Sequence, residues 1–162
     1  MKHSDTLTTL FSHNLWANLR LLDACAALSS EQLEATATGT YGSIYDILRH
    51  ITTAERSYFS RISTGQAYRQ PENAPPMTLA DMKDSLNTTG SGFIEWAHKV
   101  QAEDMVTIDW DGAPRDVPKT IILTQVINHA TEHREQVKAI ITQLGIEAPD
   151  LAGWEYFDQM DA

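Results

Sequence analysis

Apolar residues recur every three or four positions in four long stretches of the chain, which is the spacing of the buried face of an amphipathic helix. The pattern predicts helices over residues 5–28, 43–65, 78–101 and 120–144. Gly65 and Gly145 follow the second and fourth stretches, where glycine commonly ends a helix. Each helix would be about 35 Å long at 1.5 Å per residue. Four such helices predict an all-α fold, a four-helix bundle, in either a simple up-and-down or a crossed order.

One segment between the third and fourth helices has a different period. Residues 105–110 alternate apolar and polar side chains, which is typical of a strand. Asp111-Gly112 is a hairpin turn signal, and residues 113–117 can return as a second strand. An isolated hairpin is only marginally stable, so we expect this small β-hairpin to pack on the helices. Residues 154–160 predict a short terminal helix.

Length and charge restrict the function. A chain of 162 residues suits a single domain, which we expect to span 1–162. The net charge of −10 argues against nucleic acid and anionic membrane surfaces as partners. Without a signal peptide or an apolar run of about 20 residues, the expected location is cytoplasmic. The single cysteine, Cys25, fits a reducing compartment and is expected to be a buried apolar side chain.

Two histidines on the fourth helix carry the most chemical information. His129 and His133 are four residues apart, so they lie one turn apart on one helix face. They fall within the apolar stripe that includes Val126 and Val137. Burying two imidazoles without polar partners is costly, and a divalent metal accepts a lone pair from each ring. The spacing therefore predicts a metal site.

A third ligand is expected because catalytic metal sites usually combine three protein ligands with an open position. His50 shares the inward face of the second helix with Ile47 and Ala54, at about the same depth as His129 in the fourth. The sequence therefore predicts His50, His129 and His133 as ligands of one divalent ion. The remaining histidines are expected to lie outside the site; they are His3, His13 and His98.

The chain resembles the DinB/YfiT-like family of four-helix-bundle metalloproteins. The resemblance is carried by 15–18 (Leu-Trp-Ala-Asn), 42–44 (Gly-Ser-Ile), 48–51 (Leu-Arg-His-Ile) with Ala54-Glu55, and above all 126–136. One departure is visible, because Glu135 stands where the family often has glycine in an Arg-Gly-Gln sequence.

The resemblance implies both a topology and a class of activity. It implies a crossed up-down-down-up bundle, one ion held by the three histidines, and a possible homodimer. Family members include thiol S-transferases and a thiol-dependent isomerase. We therefore expect a metal-dependent transferase or hydrolase for a small-molecule substrate, in which a low-molecular-weight thiol can take part. Zinc and nickel are the leading candidates for the ion, although imidazole also suits copper and iron. No side chain stands out as a protein nucleophile, so the catalytic residues are unknown.

Two other functions compete with this expectation. His129-Ala130-Thr131-Glu132-His133 spells the H-x-x-E-H order of one peptidase class, in which Glu132 would be the general base. Few residues follow His133 to build a substrate cleft, so Glu132 is expected to be an exposed helix charge. The second is a non-catalytic bundle for binding or assembly, in which the metal only stabilises the fold. A closed site with a fourth ligand would favour it.

Overall fold

The four predicted helices and the hairpin are present in the computed structural model, which describes residues 4–160. The long helices are α1 (Thr6–Cys25), α3 (Ile44–Thr64), α4 (Leu79–Trp96) and α5 (Lys119–Gln143). Short helices are α2 (Ser30–Leu33) and α6 (Gly153–Met160), and one 3-10 turn, Ala97–Lys99, extends α4. Strands β1 (Met105–Trp110) and β2 (Ala113–Pro118) pair between α4 and α5. The predicted all-α bundle with a small β-hairpin is confirmed.

Local sequence signals set the helix ends. The side chains of Asp5 and Ser43 accept hydrogen bonds from backbone N–H groups in the first turns of α1 and α3. Thr78 and Asp81 form a reciprocal capping box at the start of α4. The first helix ends three residues earlier than predicted, because Ser29 caps the separate helix α2.

The packing of the long helices fixes their relative directions. α1 packs against α4 and α5, and α3 packs against the same two helices. α1 is antiparallel to α4, and α3 is antiparallel to α5, whereas α3 and α4 are parallel. The contacting pairs are Leu15–Gly90, Asp23–Lys83, His50–His129, Ile62–Lys119, Glu55–Thr89 and Phe59–Phe93. These directions are compatible with the crossed order, which itself stays a prediction.

The core consists of two apolar clusters with a polar layer between them. The first cluster includes Leu21, Ile47 and Leu86, and the second is built around Phe11 and Phe93. Between them, each long helix contributes a buried polar side chain. These side chains are Asn14 and Asn18 on α1, Glu55 on α3, Thr89 on α4 and Arg134 on α5.

The hairpin forms with the predicted turn. Asp111 and Gly112 both have positive φ, at 53° and 82°, as a two-residue hairpin turn of this kind requires. The Gly112 N–H donates to the Asp109 carboxylate at 2.7 Å. The hairpin contacts the start of α5 through β2. Across residues 4–160, no helix is both long enough and apolar enough to cross a bilayer.

Two glycines in the middle of α4 allow close helix packing. Glycine inside a helix usually costs about 1 kcal/mol relative to alanine, but α4 is continuous through Gly90 and Gly92. A Cβ atom on Gly90 would lie 3.0 Å from Leu15 Cβ, and one on Gly92 would lie 2.3 Å from Phe59 Cζ. The glycines therefore let α4 approach both α1 and α3.

Overpacking usually costs about 1–3 kcal/mol, so after the gain in helix propensity given below we expect Gly90→Ala to destabilise the protein by up to about 2 kcal/mol. The Leu15 Cβ atom is fixed to its backbone, so α1 itself must shift. This cost opposes the gain of about 1 kcal/mol in helix propensity. Urea unfolding measures the free energy of unfolding of the variant and of the wild type. Gly153→Ala is the control, because a Cβ there meets no atom within 4 Å. A Gly90→Ala variant at least as stable as the wild type would contradict the close contact.

Candidate metal centre

The three predicted histidines lie together between α3 and α5. One ring nitrogen from each of His50, His129 and His133 can be chosen so that all lie within 4.8 Å of one another. The Nε2 atoms of His50 and His129 are 2.9 Å apart and share a hydrogen bond. Two imidazole ligands of a tetrahedral ion lie about 3.3 Å apart at metal–nitrogen distances of 2.0–2.1 Å. A shift of about 0.4 Å between these two rings would therefore admit an ion.

The orientation of His133 is fixed by Gln136, one turn further along α5. The Oε1 atom of Gln136 lies 3.2 Å from His133 Nδ1 and also accepts the backbone N–H of Tyr41 at 3.0 Å. With Oε1 as acceptor, the His133 proton sits on Nδ1 and the lone pair on Nε2 is left for the cluster. Such outer hydrogen bonds commonly hold the ring of a metal-binding histidine.

Two tyrosines frame the cluster from opposite sides. The ring of Tyr41 stacks on His50 with centroids 4.0 Å apart, and Tyr41 itself is exposed to solvent. Tyr58 meets the ring of His129 edge-on at 5.8 Å. His133 is buried, whereas His50 and His129 are half-buried. The cluster therefore sits at the wall of the bundle, open on one side.

The electrostatic environment keeps two of the rings neutral. Burial lowers the pKa of His129 to about 4, and the neighbouring His133 and His50 act in the same direction. Burial also lowers the pKa of His50, with His133 and Arg49 contributing. Both imidazoles are therefore uncharged at neutral pH, which is the form that binds metals.

A buried polar network lies beside the histidines and joins all four long helices. Glu55 accepts hydrogen bonds from Thr89 at 2.7 Å, Asn18 at 3.0 Å and Asn14 at 3.4 Å. The Arg134 guanidinium donates to the side-chain oxygens of Asn14 and Asn18, both at 2.7 Å. The two asparagines thus stand between a buried acid and a buried base. Arg134 directly follows His133, so the network also fixes the rotation of α5 at the cluster.

Burial dominates the titration of Glu55. It raises the pKa of this carboxyl from 4.5 to about 7, while Thr89, Arg134 and the two asparagines favour the charged form. Burial also lowers the pKa of Arg134 to about 10, opposed by Glu55 and Glu135. Glu55 lies five residues after His50, about 140° further round the helix, so it is off the histidine face. In the structure Glu55 does not join the three histidines, and its carboxyl is buried inside the bundle.

The other histidines and acids take the places expected of them. His13 is half-buried, with Nε2 at 2.8 Å from the Leu151 carbonyl oxygen, and His98 is exposed beside Asp5. Glu132 is exposed and does not join the histidine cluster. Cys25 is fully buried, and burial raises the pKa of its thiol to about 12. His3 lies outside the described residues.

Sequence reasoning missed the side chains that support the cluster. Tyr41 lies in an irregular segment and Tyr58 reads as an ordinary apolar position, so neither carried a signal. Asn14 and Asn18 did carry one, because two polar residues four apart interrupt the apolar face of the first helix. Paired with the inward Glu55 and with Arg134, they could have predicted a buried network.

Comparison with known proteins agrees with this architecture. The family model described as the DinB family matches residues 1–160. The chain belongs to the DinB family. A crystal structure of a DinB-like protein from Bacillus cereus ATCC 10987, at 2.01 Å resolution, is similar to this DinB-family chain with a TM-score of 0.60. The two are 19% identical, over 86% of this chain and 91% of that one, so this likeness concerns the fold alone. No curated protein matches.

We expect the stability of the metal-free protein to depend on pH through Glu55. Its folded-state pKa, about 7, is above its ordinary 4.5, so the folded state binds this proton more tightly. The resulting stability is fully present below about pH 4.5 and is lost as the pH rises through about 7. At about 1.4 kcal/mol per pKa unit, the difference between 4.5 and 7 corresponds to about 3.5 kcal/mol, of which roughly 3 kcal/mol is lost between pH 4.5 and 8.

The experiment compares Glu55→Gln with the wild type by urea unfolding from pH 4.5 to 8. Taking the difference removes the contribution of groups common to both proteins, including the histidines. The free energy of unfolding of the wild type, relative to that of Glu55→Gln, should fall by roughly 3 kcal/mol as the pH rises, because Gln does not titrate. Glu132→Gln, a change in an exposed acid, is the control, and its difference from the wild type in free energy of unfolding should not change with pH. If the difference for Glu55→Gln is also constant, the Glu55 carboxyl does not titrate between pH 4.5 and 8.

Proposed function

We propose that His50, His129 and His133 bind one divalent metal ion per chain. The observation that supports this is the convergence of three ring nitrogens within 4.8 Å from two different helices. The lone pair that Gln136 leaves on His133, and the neutral state of the other two rings, suit a cation better than a proton. Neutral imidazoles are typical ligands of zinc and nickel.

We propose further that the ion has an open coordination position. Among residues 4–160, no cysteine or carboxylate joins the three histidines as a fourth ligand. Structural zinc sites are usually closed by four protein ligands, whereas catalytic sites keep one position for water or substrate. An ion bound by neutral ligands would lower the pKa of a water or thiol at that position.

The function that follows is a metal-dependent small-molecule transferase of the thiol S-transferase type, or a hydrolase. Cys25 cannot serve as the nucleophile, since burial raises its pKa to about 12. The nucleophile would therefore come from the coordinated ligand. The net charge of −10 disfavours a large anionic substrate such as a nucleic acid.

Removing one ligand should abolish tight binding of the ion. We expect one Zn²⁺ per chain for the wild type and a loss of at least about 100-fold in affinity for His50→Ala and His129→Ala, because two imidazoles alone bind weakly. Calorimetric titration of protein purified without an affinity tag measures both quantities. His98→Ala, which removes an exposed histidine outside the cluster, is the matched control. Unchanged stoichiometry and affinity in both ligand variants would exclude this site.

The open position is tested with Co²⁺, which reports its ligands by absorption. Adding a low-molecular-weight thiol such as cysteine or glutathione to the Co²⁺-loaded protein should produce a sulfur-to-metal charge-transfer band. The band should be absent without thiol and absent in His129→Ala. A spectrum that no thiol changes, and that is constant from pH 5 to 9, would mean that the metal activates neither ligand. The non-catalytic, metal-stabilised bundle would then be the correct function.

A further inference from the structure

A cavity of about 370 Å³ adjoins the histidine cluster on the side of Tyr58. It runs between α3 and α5 and is covered by the hairpin. Tyr58 contacts the His129 ring and lines the cavity, and Gln125, one turn before His129, lines it as well. None of the three histidines lines the cavity, so Tyr58 stands between it and the candidate metal centre, and the cavity extends from there towards the end of α3. Its volume is that of a small-molecule site.

The walls of the cavity are mainly apolar. The hairpin contributes Ile108, Trp110 and Val117, and α5 contributes Ile121 and Ile122. Trp110 is 52% exposed and Ile121 is 56% exposed, although both lie beside the cavity. A flat apolar group placed between them would remove this surface from water.

Among the described residues, one charged side chain, the arginine Arg61, lines the cavity. Arg61 lies eleven residues after His50 on α3, which is about 16 Å along the helix. One of its terminal nitrogens donates to the carbonyl and hydroxyl oxygens of Ser57, and the rest of the guanidinium has no partner among residues 4–160. Arg115 lies over the Trp110 ring nearby.

No carboxylate in the described part of the chain neutralises either arginine. Two of the three acids of the hairpin are engaged elsewhere, and the third, Asp111, forms no ion pair among residues 4–160. Asp109 accepts the Gly112 N–H, and Asp116 accepts the Thr107 hydroxyl. In a protein of net charge −10, the unpaired Arg61 in the wall of an apolar cavity, with the unpaired Arg115 beside Trp110, forms a site for an anionic group.

We propose that this cavity binds a substrate with an aromatic or similarly flat apolar body and a carboxylate at one end. The carboxylate pairs with Arg61, the apolar body lies against Trp110 and Ile121, and the opposite end faces the histidines. The orientation towards the metal rests on the function proposed above. The cavity and its preference for a carboxylate rest only on the protein side chains.

The first test uses 4-phenylbutyrate and its neutral amide, 4-phenylbutanamide, as probes on metal-free protein. Titrations followed by ¹H–¹⁵N NMR should shift the Trp110 indole and Gln125 amide signals. The acid should bind about tenfold more tightly than the amide, because a charge-assisted hydrogen bond to Arg61 is lost in the amide. Equal affinities, or shifts confined to other parts of the chain, would overturn the proposal.

Variants separate the charge from the apolar wall. Arg61→Gln should remove the preference for the acid while leaving the amide affinity unchanged, and Arg61→Lys should restore part of it. Trp110→Ala should weaken both probes equally. Arg69→Gln, a change in an exposed arginine outside the cavity, is the control and should behave like the wild type. A preference that survives Arg61→Gln would contradict the assigned role of this residue.

The second test measures the orientation in Co²⁺-loaded protein. Paramagnetic relaxation should be stronger for the ring protons of 4-phenylbutyrate than for the methylene next to its carboxylate; the reverse order would overturn the orientation. These experiments distinguish a failure of the proposed metal function from a failure of the proposed carboxylate-binding cavity. If the wild type binds no metal but keeps its preference for the acid, only the metal function is wrong. If metal binds and the preference is absent, only the cavity assignment is wrong.

Discussion

The hydrogen-bonded pairing of buried Glu55 with buried Arg134, through Asn14 and Asn18, is the constraint on which the rest of this structure depends. An acid and a base inside a helical bundle are stable only when every polar atom is satisfied, and here that requires side chains from all four long helices, with Thr89 from α4 completing the set. Apolar packing alone tolerates small rotations and shifts of a helix. A set of directional bonds between two apolar clusters does not, so the network fixes how the helices are rotated and how far each extends along its neighbours.

The histidine cluster benefits from that rigidity. Arg134 and His133 are adjacent in sequence, and they point to different neighbours: the arginine reaches α1, and the histidine meets His50 on α3. Because the bonds of Arg134 to α1 fix the rotation of α5, they also fix the direction in which His133 points. Gln136 then fixes the ring of His133 and ties the loop that carries Tyr41 to α5. The cluster is thus built on rigid helices and oriented by a surrounding layer of hydrogen bonds, which is the arrangement that an ion with a defined geometry needs.

Much of the fold could be predicted from the sequence, because helices, caps and the Asp111-Gly112 turn are encoded locally. The proximity of the three histidines could also be predicted, because helix periodicity placed them on the inward faces of two helices at a similar depth in the bundle. The network was signalled only in part, by Asn14 and Asn18, because the burial of the charged Glu55 is decided by partners on three other helices. Tyr41 was equally inaccessible, since an irregular segment has no periodicity to read. The extent of the domain as 1–162, a homodimer and a cytoplasmic location stay predictions.

The hairpin has a different relation to the fold from that of the helices. Its strands contribute three side chains to the cavity wall, and it is attached to the bundle by Val106, which is buried in the second apolar cluster, and by the contacts of β2 with α5. The Lys119 ammonium donates to the Ile62 carbonyl at the point where the hairpin ends, so the end of α3 and the start of α5 are joined without help from the strands. Substitutions of the hairpin side chains that line the cavity can therefore alter what the cavity accepts while the polar network and the histidines stay in place. Such a surface segment can vary in sequence without rebuilding the bundle that holds the candidate metal centre.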